Sequence, residues 1–201
     1  MSQLTSNVPW IIGDLESCGA LRRGHFRLTS GGHTGTYLEV HHLLQAPVLH
    51  DILCRKLAQI IRRERVNIIL APPMGGIPIA VLVANKLGMP VGWAEKTADG
   101  GLTLPDVFKQ AVNGGTVVII DDWITTGGSI NEVKNLVQAA DGEVVQVAAL
   151  INKSPSTVTS VTFGAPLVTL ENFPVTTWSE ADCPLCAEEK IPIDPNYGHG
   201  M

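Results

Sequence analysis

A run of four branched aliphatic residues that ends on two adjacent carboxylates, then passes into hydroxyls and glycines, leaves few choices for the chain around it. The run is Val117-Val118-Ile119-Ile120, followed by Asp121-Asp122-Trp123-Ile124-Thr125-Thr126-Gly127-Gly128-Ser129. Consecutive branched residues suit a strand buried on both faces, as inside a parallel sheet. The strand is expected to stop at the two carboxylates. Helical spacing follows at Ile130, Val133, Leu136, Val137 and Ala140. The polar residues therefore fall between a strand and a helix, at the carboxyl edge of a sheet, where open α/β folds bind ligands.

The flanking sequence repeats that unit. Asn67–Ala71, Pro90–Ala94, Val144–Ile151 and Pro166–Leu170 read as strands, and Ile77 to Leu87, closed by Gly88, reads as a helix. Strand, crossover helix and strand in alternation give an α/β fold: an open, mostly parallel sheet with helices on both faces. Pro47 opens a further helix whose apolar spacing continues to Arg65. Upstream, Phe26 and Leu28 alternate with polar residues, and a glycine-rich turn leads to Tyr37-Leu38-Glu39-Val40, so two short strands are expected there. His25 and His33 flank this segment, placed either for packing or for contact with a base or a partner subunit. Residues 97–115 are polar and weakly periodic, as in a lid or binding loop. A chain of 201 residues accommodates one sizeable core. We expect a single domain over 1–201, with a small N-terminal appendage at 1–46, the core at 66–170 and a tail at 171–201.

A net charge of −5 gives no general basic field, so no nucleic-acid partner is expected. No apolar run approaches the length of a membrane span, and Met1-Ser2-Gln3-Leu4 lacks the regions of a secretory signal, which points to a cytoplasmic protein without a membrane partner. The four cysteines, Cys18, Cys54, Cys183 and Cys186, are too few and scattered for a disulfide framework. Cys183-Pro184-Leu185-Cys186 is either a pair of structural thiols or half of a zinc site, to be completed by Cys18, His199 or a partner chain.

The backbone amides of Thr126, Gly127 and Gly128, with the hydroxyls of Thr125, Thr126 and Ser129, can surround a phosphate at the start of the following helix. Asp121 and Asp122 would repel that phosphate, but they can accept hydrogen bonds from sugar hydroxyls or hold a divalent cation through water. Met74, Gly75 and Gly76, in the turn Pro72-Pro73-Met74-Gly75-Gly76, follow another strand and can hold a second anion. The lysine of a Walker A loop and the spacing of a dinucleotide fingerprint are both missing. A sugar phosphate is the ligand that this combination of groups recognises.

The segment Val117 to Ser129 resembles the diphosphate-sugar motif of the type I phosphoribosyltransferases. Within that family, Gly24-His25-Phe26-Arg27-Leu28-Thr29-Ser30-Gly31, the Gly75-Gly76 turn and the Cys183-Pro184-Leu185-Cys186 ending resemble the orotate enzymes. The resemblance implies transfer of ribose 5-phosphate from phosphoribosyl diphosphate to a ring nitrogen of a pyrimidine, orotate above all, with Mg2+ as cofactor. It implies that Asp121 and Asp122 serve the ribose and the Mg2+, that Thr125, Thr126, Gly127, Gly128 and Ser129 hold the 5-phosphate, and that Met74, Gly75 and Gly76 hold the diphosphate. Lys96 would be the catalytic cation for the leaving diphosphate, Phe26, Thr29 and Lys153 would face the base, and the chain would form a homodimer. A purine or other acceptor, or a sensor that binds phosphoribosyl diphosphate without turnover, are the alternatives.

Overall fold

The computed structural model describes residues 10–28, 30–62, 64–187 and 193–194. In chain order the elements are α1 (Trp10–Ser17), β1 (Leu21–Arg27), β2 (His33–Leu38), α2 (Val40–Leu44), α3 (Pro47–Ile60), β3 (Ile68–Ala71), α4 (Gly76–Leu87), β4 (Val91–Trp93), β5 (Glu95–Lys96), β6 (Leu102–Thr103), α5 (Asp106–Val112), β7 (Thr116–Ile124), α6 (Gly128–Ala139), β8 (Glu143–Asn152), α7 (Ser160–Phe163), β9 (Leu167–Asn172), β10 (Thr177–Trp178) and α8 (Pro184–Ala187). They fall into two compact units, Pro47–Phe173 and Met1–Ala46 with Pro174–Met201.

The larger unit is an α/β layer structure built on a five-stranded sheet in the order β4-β3-β7-β8-β9, with every neighbouring pair parallel. Parallel strands covered on both faces need apolar side chains at successive positions, and Ile68-Ile69-Leu70-Ala71 is buried throughout. Alternate residues of β3 and β7 serve opposite faces. Ile68, Leu70, Val117 and Ile119 join Ile130, Val133, Val137 and Phe163 in one apolar cluster. Val118 and Ile120, also fully buried, belong to the other face, where α3 packs on α4 and α4 on β7.

Three expectations from the sequence change here. First, β7 does not stop at the carboxylates: it pairs with β8 through Asp121↔Ala149, Trp123↔Ile151 and Ile124↔Asn152. Second, α3 ends at Ile60. The polar Gln146 of β8 is 2% exposed, and its Oε1 accepts the Arg62 amide at 2.9 Å, so a chain leaving the helix finds a buried acceptor. Third, residues 97–115 are not one loop. β5 and β6 form an antiparallel hairpin, and α5 lays Phe108 against Trp93, ring centroids 5.4 Å apart.

The smaller unit holds the antiparallel sheet β1-β2-β10. Leu21↔Leu38 and Arg27↔His33 bound the β1–β2 hairpin, and Leu15 of α1 is fully buried in the core. The tail contributes β10, with Thr177↔Thr34 and Trp178↔His33. The tail and the N-terminal segment, distant in sequence, thus build one sheet.

Candidate active site

The end of β7 and the start of α6 form a cavity of about 110 Å³ lined by Asp121, Trp123, Ile124, Thr125, Thr126, Gly127, Gly128, Ser129 and Ile130. That is several times the roughly 10–15 Å³ required by one water. Gly127 shapes it. Its φ is +77° and it precedes α6 without any side-chain cap, so the opening amides of a twelve-residue helix face the cavity with their partial positive charge. The space also demands glycine, because a Cβ at Gly127 would lie 2.7 Å from the Phe163 ring. The Gly128 amide receives a local partner, the Thr126 hydroxyl, at 3.3 Å. Trp123 contributes an indole N–H that is buried with no hydrogen-bond partner among the described residues.

Both carboxylates lie against the turn before α4. A Cβ at Gly75 would collide with the Asp122 carboxylate, and one at Gly76 would come within 2.9 Å of Asp121 Oδ1; this turn contains a cis Pro73–Met74 peptide. The Asp122 amide donates to Asp121 Oδ1 at 2.9 Å, and the Trp123 amide donates to Asp122 Oδ1 at 2.6 Å. Burial and the neighbouring Asp122 charge hold the Asp121 carboxyl well above the usual carboxylate range. Burial also raises Asp122, against the opposing pull of its hydrogen bonds and of Lys153.

Lys153 follows β8 and donates its amide to the Ile124 carbonyl at 2.8 Å, which sets its side chain beside the pair. Desolvation lowers its ammonium pKa, while Asp122 and then Asp121 raise it. Two desolvated carboxylates set against one lysine favour either retained protons or a bound cation. Adjacent oxygen donors without imidazole or sulfur suit a hard divalent cation such as Mg2+.

Lys96 is exposed on the β5–β6 hairpin, and it is not among the charges that act on Asp121 and Asp122. Met74 projects outward, 70% exposed. Phe26 belongs to the smaller unit, where it is 2% exposed with its ring centroid 5.5 Å from that of Tyr37; a covered ring of this kind packs rather than offering a face to a base. Thr29 and His199 lie outside the described residues. Asn152, next to Lys153, is tied to its own loop: its Nδ2 donates to the Val158 carbonyl at 2.9 Å and its Oδ1 accepts the Ser154 amide at 2.9 Å. Cys183 and Cys186 lie in the smaller unit, beside His25 and His33.

The family model of the phosphoribosyl transferase domain matches residues 40–167. The orotate phosphoribosyltransferase of Heliobacterium modesticaldum is 38% identical over 178 residues, which cover 88% of this chain and 91% of that protein. The orotate phosphoribosyltransferase of Caldanaerobacter subterraneus subsp. tengcongensis is 33% identical over 178 residues, 89% of this chain and 90% of that one. The crystal structure of orotate phosphoribosyltransferase from Aeropyrum pernix superposes with a TM-score of 0.66, covering 81% of this chain and 93% of that chain at 21% identity, a likeness of fold.

Proposed function

Since the chain belongs to the type I phosphoribosyltransferase family, we propose that it transfers the phosphoribosyl group of phosphoribosyl diphosphate to a ring nitrogen of orotate, as a cytoplasmic, Mg2+-dependent homodimer. The observation that carries this reading is the continuity of Asp121 and Asp122 with an uncapped helix start at Gly127. One stretch of chain supplies acceptors for sugar hydroxyls and amides for a phosphate. Relatives named for the orotate reaction over nearly the whole chain support the choice of base. Four cysteines without a disulfide suit a reducing compartment. Among the described residues no helix is long and apolar enough to cross a membrane. Val48 and Ile52 expose apolar surface one helical turn apart on α3, which suits burial against a second copy.

Departure of diphosphate leaves positive charge on C1 and the ring oxygen of the sugar. Asp121 and Asp122 hold the ribose hydroxyls and offset that charge. The amides and hydroxyls of Thr125 to Ser129 fix the 5-phosphate and with it the position of C1. The turn Met74 to Gly76 brings its backbone to the diphosphate side. Asp121 and Asp122 would hold Mg2+, directly or through water, and the cation would supply charge neutralisation for the leaving group. Lys153 provides a cation for the carboxylate of orotate.

Incubation with orotate, phosphoribosyl diphosphate and Mg2+ is expected to give orotidine 5'-phosphate and diphosphate. Turnover of adenine, guanine or another base with orotate inert would overturn the choice of base, and phosphoribosyl diphosphate binding without turnover of any base would make the chain a sensor. Lys153→Met is expected to raise the KM for orotate about 10- to 100-fold, the worth of one hydrogen bond to a charged group, with partial recovery in Lys153→Arg. An unchanged KM in initial-rate assays would remove Lys153 from base recognition.

The carboxylate pair also sets a pH dependence. Asp121 and Asp122 have raised pKa values in the folded chain, so their contribution to stability is fully present below the ordinary carboxylate pKa, about 3.9, and is lost as pH rises through the raised values. A bound cation must displace those protons. Mg2+ with phosphoribosyl diphosphate is therefore expected to bind more tightly as pH rises through that window, with proton release. Calorimetry in buffers of different ionisation enthalpy measures the release, and proton uptake on binding would contradict it.

A further inference from the structure

We propose that His25, His33, Cys183 and Cys186 form a closed four-coordinate site for a zinc-class divalent cation, which ties the carboxyl-terminal tail to the β1–β2 hairpin. His25 Nε2 lies 2.9 Å from His33 Nδ1, and His33 Nδ1 lies 3.2 Å from Cys186 Sγ. Cys183 Sγ and Cys186 Sγ are 3.5 and 3.6 Å from His25 Nε2, and all four donor atoms lie within 4.8 Å of one another. A tetrahedron with zinc–sulfur bonds of about 2.3 Å and zinc–nitrogen bonds of about 2.0–2.1 Å has edges of about 3.3–3.8 Å. Four of the six separations, 2.9–3.6 Å, lie at or somewhat below those edges, and none of the six exceeds 4.8 Å, so small shifts bring the four atoms to the corners of such a figure.

Hydrogen bonding alone does not account for the cluster. His25 Nε2 meets one ring nitrogen and two sulfurs, whereas one imidazole nitrogen either donates a single proton or accepts through a single lone pair. His25, His33 and Cys183 are 3%, 1% and 2% exposed, so the donor atoms converge away from water. A cation at the centre accepts one lone pair from each of the four donors at once.

The chain is shaped to deliver these groups. α8 is a single turn in which the Cys186 and Ala187 amides both donate to the Cys183 carbonyl at 3.2 Å, and Pro184 sits at its first position, where its missing N–H costs nothing. This turn places the two sulfurs together. The imidazoles come from adjacent strands of the hairpin, and β10 pairs Trp178 with His33 shortly before α8 begins. Two thiolates and two imidazoles select zinc over the oxygen-seeking Mg2+ and Ca2+. Four protein ligands leave no open position for substrate, so the site is structural. Every ligand belongs to the smaller unit, and none of them is a residue of the carboxylate pair.

The test is metal analysis of the full chain produced with zinc in the medium. One zinc per chain is expected, lost in Cys183→Ser and in Cys186→Ser and kept in Cys54→Ser, whose buried thiol is pushed up to about 12. Because a ligand variant can fail to fold, the unaltered chain is also stripped with a chelator and reloaded with Co2+. A two-thiolate tetrahedral site then gives intense visible absorption and a thiolate-to-cobalt charge-transfer band, and the stripped chain melts at a lower temperature. A chain without stoichiometric zinc and without that cobalt spectrum would overturn the proposal. So would a mass lower by two hydrogens that maps to a Cys183–Cys186 disulfide in the chain as purified.

Discussion

Asp122→Asn is expected to lower kcat/KM for phosphoribosyl transfer by about 100- to 1,000-fold, the usual cost of removing one preorganised electrostatic group from a transition state. The fold should survive, because the amide oxygen can still accept the Trp123 N–H and asparagine has nearly the same shape. At neutral pH the variant should melt no lower than the parent: the native pair is desolvated and mutually repulsive, and a neutral side chain removes that repulsion. Loss of rate without loss of stability separates a group held for chemistry from one held for packing. Initial-rate assays beside thermal melts supply both readouts, with Asp106→Asn, exposed at the start of α5, as a control expected to leave both unchanged. Transfer activity within a few-fold of the parent would remove Asp122 from the mechanism.

Gly127→Ala is expected to cost about 2–5 kcal/mol of stability, combining about 1–2 kcal/mol for a left-handed backbone with about 1–3 kcal/mol for forcing a methyl into a filled space. The space is filled by the Phe163 ring. Gly31→Ala separates the two contributions, since Gly31 has φ +81° and nothing within 4 Å of its Cβ position. It should show the backbone cost alone. Urea unfolding of both variants measures the difference, and equal losses would mean that the Phe163 contact carries no weight. What survives of Gly127→Ala should also bind phosphoribosyl diphosphate more weakly, because moving this residue turns the first amides of α6 away from the phosphate.

The interior strands of the larger unit were legible because a strand covered on both faces must be apolar at every position, and Ile68–Ala71 and Val117–Ile120 satisfy that without interruption. The core helices were legible from three- and four-residue spacing, and α6 starts where the glycines predict. The continuation of β7 through Asp121 and Asp122 was not legible. Its cause is tertiary: two glycines of a distant turn leave space for the carboxylates, and Lys153, just past the end of β8, offsets part of their charge. α5 was missed because Phe108 and Val112 are too few to display a period. Family resemblance singles out Lys153, which the structure sets beside the acidic pair, but the hydrogen bonds of Asn152 within its own loop carry no sequence signal. His25 and His33 carry no sequence signal for a metal, since they are presented by two strands of a hairpin and meet cysteines 158 residues from His25 in one case and 153 residues from His33 in the other.

The pairing of β7 with β8 skips a residue. Val117 faces Val144, but Val118 faces Gln146, so Val145 is a bulge in the longer strand. From that point on, every side chain of β8 has its inward or outward sense fixed by this extra residue. Were Val145 paired with Val118 instead of bulged, Ile124 would oppose Ile151 rather than Asn152, Gln146 would turn away from the end of α3, and Lys153 would move one position along and rotate off the acidic pair. The bulge is therefore felt at the far end of the strand, where the charge balance of the site depends on a count of residues made about 26 Å away, at about 3.3 Å per residue.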